Sequence, residues 1–445
     1  MRTKNIIVKV NSSDNFHYNG IEQDNILEIQ LDQTDVNKMV KANLFRDLQN
    51  HNLVPDNKIY DLINFALAVY TIDQVVSRQI NGFQGWSRYL IVNFPVNDLE
   101  LWQTVKDDFS TYLSFLSGDK WEFTFRQNEV IRSFELPEIR NPENFTKVSL
   151  FSGGLDSFIG AIDLLSNQEK PFFVSHYKAS ESKVQNNLID KIKTKFGEDN
   201  FKSQRFWVQP NQKNQISEKE NTSRARSFLF ITLGISVANC LNEQIELYLP
   251  ENGLISLNVP LTRSRIGSHS TRTTHPFFVK GLNTIFEKMG IGNRIVNPYR
   301  FKTKGEMILQ CENREFLDRT ILDTISCSHP ENSRFQGREP GLNCGYCVPC
   351  IIRQSAEYKA GDIFTSYAIG DVRQVNPSQK SKSGSDYRAF KIGLEKLGNI
   401  NNRHSIALQV IRSGPIPFED LDELNEYISV YERGMEEVKQ FLNRE

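Results

Sequence analysis

The chain has 445 residues, 39% apolar and 24% charged, with 53 Lys and Arg against 54 Asp and Glu for a formal charge of −1. That length supports two or three domains with cores of their own, and so neutral a balance gives no long-range field for nucleic acid, so anion binding must be local. No apolar run reaches the ~18 residues of a membrane span, and Met1–Asn5 leads into a strand-like Ile6–Val10 without a cleavage signal, so the expected compartment is the cytoplasm.

Residues 1–140 alternate strand-like segments (Ile6–Val10, Ile26–Leu31, Tyr89–Phe94, Trp121–Phe125) with an amphipathic stretch near Asn57–Ile80 and a helix near Leu99–Leu116. They are expected to form an N-terminal α+β domain. No catalytic or metal spacing occurs there, so a platform for a partner and a purely structural domain both stay open. The proline-bearing segment 135–144 continues neither element type and marks a boundary.

At Lys147–Phe151 a short apolar strand runs into Ser152-Gly153-Gly154-Leu155-Asp156-Ser157, and Phe158–Leu165 then has helical spacing. Two glycines between strand and helix let backbone N–H groups approach an anion at the positive end of the helix dipole. A Walker loop would end in Gly-Lys-Ser/Thr and a dinucleotide fingerprint needs longer spacing; neither is present. From the hexapeptide alone an ordinary glycine turn stays open.

Strands at Pro171–Tyr177 and Arg205–Val208, with a charged helix near Lys183–Phe196 between them, predict a parallel sheet with ligands beyond the carboxyl ends of its strands. The polar loop 211–221 leads to Arg224 and Arg226 at the mouth of an apolar helix, Phe228–Leu241. Cations disfavour a helix N-terminus, so a bound phosphate or carboxylate would explain this pair, and two solvated arginines are the plainer alternative. Strand Ile245–Leu249 delivers Glu251 and Asn252 to the same edge. The long loop 261–276 carries three arginines and two histidines and no acid, which suits carboxylate, phosphate or heteroaromatic edges. A metal role for His269 and His275 lacks a nearby cysteine or carboxylate. After a helix near Phe277–Met289, Thr303 and Glu306 have the spacing of a capping box, a structural role.

Cys327, Cys344, Cys347 and Cys350 form the second strong motif: a knuckle of two thiolates, a third extending it, and Cys327 closing a tetrahedron. Zinc in a closed, structural site is expected, an iron–sulfur cluster being the competing use. His329 could replace one ligand, while Cys240 and Cys311 read as isolated residues. Residues 371–388 read as a polar connection, followed by helices near Tyr387–Leu397 and Phe418–Leu442.

The hexapeptide resembles the SGGxDS signature of the PP-loop ATPases. Together with Cys327 and Cys344-Gly345-Tyr346-Cys347-Val348-Pro349-Cys350, it makes residues 147–360 similar to QueC-type 7-cyano-7-deazaguanine synthases. The resemblance implies an adenine nucleotide alpha hydrolase-like (PP-loop) α/β fold with a doubly wound parallel sheet and a zinc site. The chain departs from the plain synthase on both sides of this stretch: residues 1–140 read as an N-terminal α+β domain of their own and residues 361–445 as a linker and helical segment. Residues 250–261 with 270–276 look like the QueC-like proteins of bacterial antiphage defence, the QatC-type and CBASS-associated members.

For that group the resemblance implies an ATP-dependent carbon–nitrogen ligase. It would adenylate 7-carboxy-7-deazaguanine and join it by an amide to the N-terminus of a partner protein from a defence operon. ATP would lie on Ser152–Ser157, Mg²⁺ near Asp156, with Asp156, Ser157, Arg224 and Arg226 acting in the chemistry. Substrate binding would fall to Glu251, Asn252, Arg272, Thr273 and His275. No membrane is implied, and nucleic acid is not expected as the direct substrate. The alternatives are a plain synthase using ammonia, a tRNA-modifying PP-loop enzyme, which usually brings a basic surface whereas this chain is close to neutral, and a silent nucleotide-binding module.

Overall fold

The computed structural model describes residues 3–18, 26–130, 137–177, 179–211, 220, 222–262, 272–330, 341–362, 365–374, 382–400 and 402–444. Most of the polar loop at 211–221 and the arginine-rich 263–271, with His269, lie outside the described residues. The strands are β1 (Thr3–Lys9), β2 (Ile26–Gln30), β3 (Val40–Ala42), β4 (Tyr89–Val96), β5 (Lys120–Gln127), β6 (Lys147–Leu150), β7 (Pro171–Tyr177), β8 (Lys202–Pro210), β9 (Leu247–Tyr248) and β10 (Ile295–Val296).

The first sheet has the order β2-β1-β4-β5, and every pairing in it is parallel. This corrects the α+β expectation for residues 1–140 to α/β. The chain passes from β4 to β5 through helix Leu99–Ser117, and such a crossover brings the second strand back parallel to the first. The short β3 leaves this sheet and pairs antiparallel with β8, Val40 opposite Pro210. The second sheet therefore runs β10-β9-β6-β7-β8-β3, mixed only at that edge. Numbered from β6, its parallel strands read 3-2-1-4-5 across the sheet, a doubly wound order that reverses between β6 and β9.

Alternation along the strands decides the layers. Val148, Leu150, Phe172, Val174 and Leu247 join the core shared with helix Arg226–Leu241 and the first sheet. Phe151 and Phe173 face the opposite core, with helices Leu155–Ser166 and Ala179–Phe196. In place of an amphipathic stretch reaching Ile80, the helix spans Asn57–Val75 and 17 of its 19 residues are buried. It lies between the first sheet and helix Arg226–Leu241, so it has no solvent face. Phe65 shows why: its ring meets Phe94 at 5.3 Å, Phe123 at 5.0 Å and, on the other side, Phe228 at 6.0 Å.

The third core gathers the cysteine segment, helix Gly253–Leu257 and the helices Lys382–Gly398, Arg403–Ile411 and Leu421–Leu442. Residues 382–388 of the expected polar connection are thus helical, while 375–381 lie outside the described residues. Among the described residues no helix is long and apolar enough to cross a membrane.

Candidate functional site

The turn Ser152–Ser157 stands at the carboxyl end of β6, beside the point where the strand order reverses. Gly153 has φ +84°, a left-handed conformation that a side chain would strain, and Gly154 is the N-cap of helix Leu155–Ser166. The two serines hold the turn from within. Ser152 N–H donates to Ser157 Oγ at 3.2 Å, the hydroxyls are 3.1 Å apart, and Ser157 Oγ donates to the Gly154 carbonyl at 3.0 Å. Ser157 is buried, whereas Ser152 is exposed. Gln185 donates Nε2 to the Ser152 carbonyl at 3.2 Å.

Asp156 points from the first turn of this helix into the protein, 5% exposed. Its Oδ2 accepts from Asn252 N–H at 3.1 Å and Asn252 Nδ2 at 2.7 Å, and its Oδ1 pairs with the Lys304 ammonium. Burial alone would raise its pKa, but the Lys304 charge and hydrogen bonds from Glu251, Lys304 and Asn252 bring it down to about 2. Glu251 moves the opposite way: burial and the adjacent Asp156 carboxylate push its carboxyl well above the usual range. Two neighbouring carboxyls with separated titrations can hold one proton between them at neutral pH, a pattern common at functional sites.

Asp156, Ser157, Glu251 and Asn252 are therefore brought together, from the ends of β6 and β9. Lys304 is the member that motif reading misses. It follows the N-cap Thr303 as the first residue of helix Lys304–Leu309, whose predicted Thr303–Glu306 capping box is present. A cation at the positive end of a helix singles out Arg224 and Arg226 in the sequence, and the same signal exists at Lys304.

The two arginines diverge. Arg226 opens helix Arg226–Leu241 and donates Nε to His176 Nδ1 at 3.2 Å and a second nitrogen to the His176 carbonyl at 2.9 Å, at the end of β7. Arg224 donates to the carbonyls of Ser117 at 2.9 Å and Trp86 at 3.3 Å, in the N-terminal segment. Burial and the like charge of Arg78 lower its pKa to about 10, so it stays protonated at neutral pH. Beside it Arg78 and Arg88 share Asp73 and Asp119 at 2.6–2.8 Å, all four buried, and Asp73 also accepts from Ala225 N–H at 2.9 Å. This network fastens residues 73–119 to the entrance of helix Arg226–Leu241.

Arg272, Thr273 and His275 lie apart from the Asp156 group in their contacts. Arg272 donates to the Phe115 carbonyl at 2.7 Å and lies 4.4 Å from the centre of the Phe115 ring. Thr273, half-buried, lies between Arg272 and His275. His275 is fully buried and caps helix Pro276–Lys288: Nδ1 accepts from Phe277 N–H at 3.2 Å and Nε2 meets Ser413 Oγ at 2.9 Å. Burial, then the charge of Arg272, lowers its pKa to about 3. Below an unfolded-state pKa of about 6.5 only the unfolded chain gains this proton, so stability present above that pH falls as pH drops toward 3. Between pH 7 and 5 this contributes a loss of about 2 kcal/mol. His275→Asn, which retains a capping oxygen, removes that part of the slope in denaturant titrations at the two pH values.

The four predicted cysteine ligands converge, with all Sγ atoms within 4.8 Å of one another. Cys327 and Cys347 sulfurs are 3.9 Å apart, and those of Cys344 and Cys350 3.8 Å. Sulfurs around a tetrahedral ion at ~2.3 Å stand about 3.8 Å apart, so the group could hold one metal ion such as zinc. Backbone N–H groups of His329 at 3.3 Å and Cys344 at 3.4 Å point at Cys327 Sγ, which favours its thiolate. His329 thus contributes a backbone donor, and Cys327 occupies the fourth corner.

This centre adjoins the turn. Ile325 N–H donates to the Gly153 carbonyl at 3.0 Å, and Leu155 N–H to Ser326 Oγ at 3.3 Å. The same segment is gripped from behind by Asn343 Oδ1 on Ser326 N–H at 3.0 Å and by buried Arg353 on the Thr324 carbonyl at 2.9 Å. Neither Ser326 nor Arg353 carries a sequence signal for this role, because both act through folded-chain contacts.

Fold and site define an α/β protein with a Ser/Gly turn and a pair of carboxyls, Asp156 buried and Glu251 half-buried, at the reversal of its second sheet, backed by a four-cysteine group. No family model matches the chain, and no curated protein matches it.

Proposed function

We propose that this protein is an ATP-dependent, amide-forming ligase of the QueC-like PP-loop kind, most like its antiphage-defence members. The carrying observation is the convergence of Ser152–Ser157, Asp156, Glu251, Asn252 and Lys304 where ligands bind in doubly wound sheets. In this reading the triphosphate lies on the turn, at the positive end of helix Leu155–Ser166. A carboxylate oxygen of 7-carboxy-7-deazaguanine attacks the α-phosphorus, the bond to the β-phosphate oxygen breaks, and pyrophosphate leaves. An amine, the N-terminus of a partner protein, then attacks the acyl carbon, AMP departs and the nitrogen loses a proton.

Lys304 and Arg226 are the cations assigned to phosphate charge; Arg224, committed to Ser117 and Trp86, is assigned to domain attachment. Asp156 does not fit the Mg²⁺ expected beside it, because Asn252 and the Lys304 ammonium already take both of its carboxylate oxygens. The cysteine group would hold zinc with no open position, in a structural role.

The test incubates protein, ATP and 7-carboxy-7-deazaguanine with the protein encoded beside it. The expected result is pyrophosphate release and a mass increase at that partner's N-terminus. Nitrile formation with ammonia and no mass increase would replace this reading with the plain synthase. Absence of pyrophosphate with every carboxylate tried would leave a binding module.

A further inference from the structure

Helix Leu421–Leu442 is distant in sequence from residues 152–157, yet it braces both arms that hold Asp156. The first arm is the start of helix Lys304–Leu309. Glu437, 4% exposed, accepts from the Thr303 hydroxyl, from Gly305 N–H at 3.3 Å and from Lys359 Nζ at 2.8 Å. One turn earlier, Arg433 donates to Glu306 Oε1 at 2.7 Å and to the Phe301 carbonyl at 2.7 Å. The capping box that launches Lys304 is thus held from outside by two residues on one helix face. A carboxylate at this helix N-terminus also offsets the unfavourable placement of the Lys304 cation there.

The second arm is helix Gly253–Leu257, directly after Asn252. A Cβ on Gly253 would lie 2.3 Å from the Arg300 carbonyl oxygen and 2.8 Å from Val430, and one on Gly434 would lie 2.9 Å from Leu254. Only glycine allows that approach. Gly253 N–H donates to the Lys302 carbonyl at 2.8 Å, tying the two arms together beneath the helix.

We propose that the C-terminal helix is a working part of the nucleotide site, with Glu437 the positioning residue that sets the Lys304 ammonium against Asp156. The inference rests on the adenylation reading for its catalytic consequence and on geometry alone for its structural one. Packing by itself would be served by an apolar side chain; a buried carboxylate with three donors is costly unless those donors are its purpose. Removing it frees Thr303 and Gly305, lets the first turn of Lys304–Leu309 shift, and moves the ammonium.

The experiment compares wild type, Glu437→Ala, Glu437→Gln and, as a packing control on the same helix, Val438→Ala. Lysine acylation by a brief pulse of acetic anhydride, read by peptide mass spectrometry, reports Lys304 without needing activity. Expected is several-fold faster labelling of Lys304 in Glu437→Ala, an intermediate rate in Glu437→Gln, and the wild-type rate in Val438→Ala despite a lower melting temperature. For pyrophosphate release, kcat falls by ~10²-fold in Glu437→Ala, the size expected when a reacting group is displaced by about an ångström, with KM for ATP little changed. Wild-type labelling in Glu437→Ala, or equal unmasking by Val438→Ala, overturns the proposal. Failure of wild type to release pyrophosphate overturns adenylation instead, and the labelling still decides the positioning role.

Discussion

Asp156→Asn is expected to lose pyrophosphate formation by ~10²–10³-fold and to be less stable by about 3–5 kcal/mol. Both effects follow from what surrounds the carboxylate. Asn252 donates to it twice and Lys304 neutralises it, all within the buried interior. The amide leaves the Lys304 ammonium buried without a counter-ion, which costs more than the intact pair contributes. Adding Lys304→Met should restore part of the stability, since an apolar replacement of a buried pair is often near neutral, while activity stays lost. Denaturant unfolding and pyrophosphate assays on the four proteins of this cycle separate the two losses. Full activity in Asp156→Asn would remove the turn from the chemistry.

Asp156, held at about 2, contributes stability present above an unfolded pKa of about 3.9 and lost as pH falls toward 2. Glu251, whose carboxyl is pushed up by burial and by Asp156, contributes stability present below its unfolded pKa and lost as pH rises through its raised one. In Asp156→Asn the first slope disappears, and the second weakens because Glu251 no longer faces a carboxylate.

Stripping the metal or replacing Cys347 by serine is expected to unfold the third core and to weaken ATP binding together. Structural zinc supplies ~10–16 kcal/mol in small domains, comparable with the ~5–15 kcal/mol that stabilises a whole protein. The ATP effect follows from the segment Ile325–Ser326, which reaches Gly153 and Leu155 immediately before Cys327. Metal analysis should give one zinc per chain in wild type and none in Cys347→Ser. Cys240→Ser is the control: its thiol, raised to about 12 by burial, lies inside helix Arg226–Leu241. Equal metal content and melting temperature in Cys347→Ser and wild type would rule out the centre.

Short-range features are legible without a structure because their physics is local. Glycine spacing marks the turn after β6, Thr303 and Glu306 announce their own capping box, and three cysteines within one turn-and-helix bring each other close. Strand and helix alternation likewise marks an α/β second sheet. The same alternation in residues 1–140 is ambiguous, since the periodicity of a strand is the same whether its neighbour runs parallel or antiparallel. Helix Asn57–Val75 misleads for a related reason: its polar residues are consumed inside the protein, Asp73 by Arg78, Arg88 and Ala225, and cannot be told from a solvent face.

What residue order alone determines here is the turn Ser152–Ser157, the cysteine group and the alternation that yields a parallel sheet, each set by neighbours a few residues apart. The tertiary structure decided the rest of the site. It brought Lys304 to Asp156 from 148 positions away and Glu437 to Thr303 from 134, and it turned Arg224 toward the N-terminal segment and His275 into a helix cap. Such pairings depend on where burial leaves a charge or a donor unmet, and that is settled only when the layers close on one another.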